Sequence, residues 1–108
     1  MTTNIGTPLY MAPEILSGEG KYSFSADVYS YGILLCGLWN QKTPYSEQKF
    51  EGPAHLYAAI TEENVRPGLR DDCPKSFKSL IMSCWRVKPE ERPTFKEICL
   101  KVFNVDED

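Results

Sequence analysis

The stretch Ser23 to Trp39, "SFSADVYSYGILLCGLW", decides how the rest of the chain must be arranged. Ser23 or Ser25 can cap a helix by accepting a backbone N–H, and Asp27 then falls in the positive first turn. Beyond it, Val28, Tyr31, Ile33, Leu34, Leu35, Leu38 and Trp39 put apolar side chains on every side of that helix. A helix that is apolar all round needs burial on all sides.

Three further helical stretches are available downstream. Pro53 to Glu62 carries Leu56, Ala59 and Ile60 on one face and reads as a half-buried helix. Pro74 suits a first helical position. After it, Phe77, Leu80, Ile81, Cys84 and Trp85 follow the i, i+3, i+4, i+7, i+8 spacing of one buried face. Phe95, Ile98, Cys99, Val102 and Phe103 repeat that pattern, with Thr94 and Glu97 in capping-box spacing. Upstream, Met1 to Pro8 reads as an extended loop, and a short helix is predicted over Ala12 to Leu16, stopped near Gly18 and Gly20. No stretch alternates convincingly as a strand. The expected fold is mainly α, with four or five helices packed around the central one.

Composition narrows the function. The 108 residues make about one domain, and 42% hydrophobic content is enough for one core. A formal charge of −3, with Lys and Arg scattered singly, argues against nucleic acid as a partner. The sequence has neither a signal-like apolar run behind a basic flank nor the roughly 18 uninterrupted apolar residues of a membrane span. Cys36, Cys73, Cys84 and Cys99 lack Cys-x-x-Cys spacing, and three of them lie in apolar stretches. Buried free thiols are expected in place of zinc or disulfides, which implies a reducing, cytoplasmic compartment.

Three motifs in order, "GTPLYMAPE" (Gly6 to Glu14), "DVYSYGILL" (Asp27 to Leu35) and "CWRVKPEERPTFKEI" (Cys84 to Ile98), resemble the C-terminal lobe of the eukaryotic protein kinase domain. The resemblance implies that residues 1–14 end an activation segment, 23–40 form the lobe's central helix and 53–104 hold three further helices. The Cys-Trp and Arg-Pro-Thr-Phe wording is similar to tyrosine kinases, and Gly-Thr-Pro-x-Tyr to serine/threonine kinases. That mixture implies the tyrosine-kinase-like group with serine/threonine specificity.

The same resemblance assigns residues. Glu14 and Arg92 match a buried ion pair that ties the activation segment to the final helices. Their residue types suit this, since a carboxylate inside an apolar lobe needs a partner and a guanidinium fork is the best one, although two solvated charges would also fit. Asp27 matches an aspartate that binds the catalytic-loop backbone, and as a plain carboxylate it favours a helix N-terminus anyway. Thr7 matches a threonine that contacts the catalytic aspartate and lysine. Pro8 and Met11 match the walls of a substrate pocket, or else stiffen a loop and fill core. Thr3, with Thr2 beside it, matches the site of an activating phosphate. Gly37 stands where many kinases carry a glutamate, so no preference for basic substrates is implied. Trp39 and Trp85 read as core anchors, and His55 has no chemical partner in sequence.

The sequence contains no Gly-x-Gly-x-x-Gly, His-Arg-Asp or Asp-Phe-Gly. Those motifs position nucleotide, base and metal in this family. The expectation is a partial kinase domain that lacks the N-lobe and catalytic loop and is inactive by itself. ATP and Mg²⁺ are then expected only for the complete domain, and this chain should bind no metal. Its partners would be protein or peptide substrates and the missing remainder of the domain. In the complete lobe its first half would supply neighbours to the central helix, so this chain alone is expected to expose part of that apolar surface and to self-associate. The alternative is a non-catalytic interaction module docking through Pro53 to Glu62.

Overall fold

The computed structural model of the chain describes residues 9–18, 20 and 23–103. Thr2, Thr3, Thr7 and Pro8 lie outside them, as do the side chains of Val102 and Phe103. The described residues form helices α1 (Pro13–Leu16), α2 (Phe24–Asn40), α3 (Pro53–Glu62), α4 (Lys75–Cys84) and α5 (Phe95–Phe103), with a 3-10 turn at Pro89–Glu91. They include no strand, so the fold is mainly α.

Local chemistry sets the ends of these helices. Ser23 caps α2, its Oγ accepting from the Ala26 N–H at 3.4 Å. At the other end Gln41 takes a left-handed conformation, φ 58°, and the chain turns back so that the Lys42 N–H bonds the Gly37 carbonyl. A Cβ at Gly37 would lie 3.2 Å from the Lys42 oxygen. Glycine at this place thus lets the chain fold over its own helix. Pro74 precedes α4 as its N-cap and is not its first residue. Thr94 and Glu97 close the capping box of α5, with the Thr94 N–H donating to Glu97 Oε1 (2.8 Å) and the Glu97 N–H to Thr94 Oγ1 (3.1 Å). His55 accepts the Glu51 N–H through Nδ1 at 2.9 Å, securing the start of α3.

The core lies between α2 and α4. One cluster joins Ala12, Ala26, Tyr29, Ile33, Cys36, Ile81 and Trp85, and a second joins Val28, Leu80, Cys84 and Ile98. Gly32 sits at the crossing and allows close approach. Burial is one-sided. Part of the central helix is uncovered, as expected for a lobe without its first half: Leu34 is 46% and Leu38 65% exposed, and Phe24 at its start is 81% exposed. Two other expectations are corrected. On α5, among the described side chains, Ile98 is inserted. Phe95 and Cys99 reach solvent, Phe95 meeting the Tyr31 ring edge-on at 5.8 Å. Trp39 is half-buried, its Nε1 donating to Asp72 at 3.3 Å, whereas Trp85 is a core residue.

All four cysteines are free thiols, with Cys36, Cys73 and Cys84 buried. Burial pushes the Cys36 and Cys84 thiols up to about 11. Among the described residues no helix is long and apolar enough to cross a membrane.

Candidate functional site

The site is assembled where the start of the described chain meets its end. Pro13 opens α1 at a position that needs no N–H, and the Ala12 carbonyl accepts from Ile15 and Leu16. This single turn aims Glu14 toward Arg92, which follows the 3-10 turn. Arg92 donates through Nη1 to Glu14 Oε2 and through Nη2 to Glu14 Oε1, both at 2.9 Å. Its Nη1 also reaches the Ser25 carbonyl at 3.0 Å, and its Nε the Arg86 carbonyl at 2.9 Å. The arginine side chain is 0% exposed and that of Glu14 16%. One guanidinium thus links α1, the start of α2 and the segment after α4.

Two neighbours shape this pair. Gly20 donates its N–H to the Glu14 carbonyl at 2.9 Å, and a Cβ there would lie 2.7 Å from Glu14 Cγ, so glycine leaves room for the carboxylate stem. Tyr29, fully buried, holds its ring between Arg92 (5.1 Å from guanidinium carbon to ring centre) and Arg66 (5.0 Å). Both cations face the negative π surface. Burial pushes the Tyr29 phenol above its usual range, opposed first by the Arg66 charge. Arg66 is itself fixed, donating from Nε to the Trp85 carbonyl at 2.9 Å and from Nη1 to the Val65 carbonyl at 3.0 Å.

The other residues singled out in the sequence are dispersed. Met11 is half-buried one turn before Glu14. The backbone beside it is held by Ser30, whose Oγ donates to the Tyr10 carbonyl at 2.6 Å. Asp27 is exposed in the first turn of α2. Tyr29, Arg66, Ser30 and Gly20 did not stand out in the sequence as parts of the site. Tyr29 is hidden by the apolar run around it, and Arg66 lies in a loop without periodicity. Ser30 offered one cue, a hydroxyl inside an apolar helix.

The arrangement is a scaffold. Among the described residues no group of three His, Cys, Asp or Glu side chains is placed to hold a metal ion.

A helical lobe organised around a central helix, with an Ala-Pro-Glu turn paired to a distant arginine, is matched by known proteins. The chain belongs to the protein kinase domain family, whose model matches residues 1–103. It is 45% identical over 93 residues to the dual specificity protein kinase shkA of Dictyostelium discoideum, which is 86% of this chain and 17% of that protein. A probable LIM domain-containing serine/threonine-protein kinase of the same organism is 37% identical over 107 residues, 99% of this chain and 16% of the relative. A protein kinase and PP2C-like domain-containing protein of Arabidopsis thaliana is 36% identical over 115 residues, 94% of this chain and 17% of the relative. The chain spans less than a fifth of the length of these curated relatives. Its helices are those of the C-terminal lobe of the kinase fold.

Proposed function

We propose that these residues serve a serine/threonine protein kinase of the tyrosine-kinase-like group, as the part of the domain that holds the substrate-binding loop against the lobe. The observation that carries this reading is the bidentate, buried Glu14–Arg92 pair. It anchors the backbone just after Met11, and Met11, with Thr7 and Pro8 of the same loop, is the part that would meet a protein substrate. Thr3 and Thr2 are sites where a phosphate would order the segment by pairing with arginine. Relatives named as serine/threonine and as dual specificity kinases support hydroxyl side chains as acceptors.

Phosphoryl transfer belongs to the complete domain. The motifs that cradle nucleotide and metal are absent from these 108 residues, so the chain alone transfers no phosphate. The exposed Leu34 and Leu38 face of α2 is then the surface on which the remainder of the domain packs. Four free thiols support a reducing, cytoplasmic setting.

The test is a chimera in which this chain replaces the matching segment of the shkA kinase domain. Transfer of phosphate to serine or threonine peptides, abolished by Arg92→Met, is the expected result. A chimera that folds and binds nucleotide but transfers nothing would refute the reading.

A further inference from the structure

The outer face of α4 carries a charge pattern that its packing does not use. The inner face inserts Leu80, Ile81 and Cys84 into the core with α2. On the outside, Lys75, Lys78, Ser79, Met82, Ser83 and Arg86 line an open groove of about 480 Å³. Ser83 is half-buried and the other five are exposed. None of the six is acidic, on a chain whose formal charge is −3.

The groove's cations form no ion pair among the described residues, although Arg86 also lines a second cavity with Glu90, Glu91 and Glu97. Among the described residues the ion pairs are Lys42–Glu47, Arg70–Asp72 and Arg92–Glu14. Arg86 gives one N–H to the Glu91 carbonyl at 2.7 Å, a neutral partner. Residue choice also runs against the helix's own field. The opening turn of α4 holds Lys75 and Lys78 and no acidic residue, although negative charge is what stabilises a helix start. Local conflicts of this kind tend to mark surfaces kept for another purpose. Between the cations, Met82 is 47% exposed and offers a flexible apolar contact.

We propose that this groove is a docking surface for an acidic segment of a partner protein, with carboxylates on both sides of one apolar residue. Charge complementarity sets the sign of the partner and Met82 takes its apolar residue. From Lys75 to Ser83 the groove runs about 12 Å at the helical rise, and Arg86, just past the end of α4, extends it to the reach of a peptide of about five residues. Three cations are too few to neutralise a row of nucleic-acid phosphates, and a single methionine is no broad apolar face for a bilayer.

The experiment titrates the 108-residue chain into a fluorescein-labelled peptide Glu-Asp-Leu-Glu-Asp. Anisotropy reports affinity, and amide chemical shifts report location. Saturable binding that weakens as salt rises is expected, with shifts concentrated at 75–86. Lys75→Glu with Lys78→Glu should weaken binding by about tenfold or more. Both side chains are exposed, and circular dichroism verifies that the variant is folded. Lys49→Glu, an exposed lysine in the loop before α3, should leave affinity unchanged. An equal loss in Lys49→Glu would reduce the effect to net charge and overturn the proposal. So would absence of saturation, shifts centred elsewhere, or stronger binding to phosphatidylserine vesicles or to a DNA oligonucleotide than to the peptide.

Discussion

Gly32 of α2 and Cys84 of α4 approach so closely that a Cβ on the glycine would lie 2.7 Å from the Cβ of Cys84 and 3.3 Å from the Ile81 carbonyl oxygen. The two helices meet at this crossing because one of them has no side chain there. Gly32→Ala should destabilise by about 1–3 kcal/mol through overpacking, despite alanine's better helix propensity. Gly68→Ala, where a Cβ would meet nothing within 4 Å, should stay within about 0.5 kcal/mol of the parent. Urea melts of the two variants distinguish them, and equal midpoints would remove the claim.

Arg92→Met strands the Glu14 carboxylate in a half-closed, apolar setting. The expected loss is about 3–5 kcal/mol, since an uncompensated buried charge outweighs any gain in apolar packing. Replacing both residues with apolar ones should recover part of that loss. For a chain of this size the single change corresponds to a melting temperature lower by at least about 12 °C. A drop of only about 2 °C would mean that the pair is solvated in practice.

Alkaline pH should weaken the fold before it affects an ordinary surface. Cys36 and Cys84 are pushed up to about 11 by burial, with Cys73 adding to the effect at Cys36, while unfolded thiols ionise near 9.0. In that window the folded chain holds protons that the unfolded chain releases. Their stabilisation is therefore complete below about pH 9 and is lost as pH rises toward 11. Melting temperatures at about pH 7, 9 and 10.5 should fall over the last interval, and less steeply in Cys36→Ala/Cys84→Ala. A flat profile for the parent would contradict this.

Leu34→Gln with Leu38→Gln should reduce self-association without reducing stability, because both leucines already face solvent. Sedimentation velocity across a concentration series provides the measurement. A parent chain that stays monomeric throughout, or a variant that unfolds earlier, would show that this face is not the adhesive one.

Much of this architecture was legible because its signals are local. The apolar spacing of Phe77 to Trp85 and the Thr94–Glu97 box each reflect forces acting within a turn or two of helix. α3 spans the same Pro53–Glu62 in both sequence and structure. What misled was the amount of cover. Phe95 carries the right periodicity, but whether a periodic face is buried depends on neighbours that no window of sequence contains. The site divides in the same way. Glu14 and Arg92 stood out as charges in motifs, whereas Tyr29 and Arg66 become partners only when a loop 37 positions further on is laid across the α2 helix.

The Glu14–Arg92 bond joins positions 78 apart in the chain. Closing that loop before α2 and α4 have packed would cost entropy for a single bond, so the bond is expected to form after the event that limits folding. Loss of either residue should then leave refolding nearly unchanged and act on the rate of opening. The lifetime of the folded state, more than the speed of reaching it, is what Glu14 and Arg92 set.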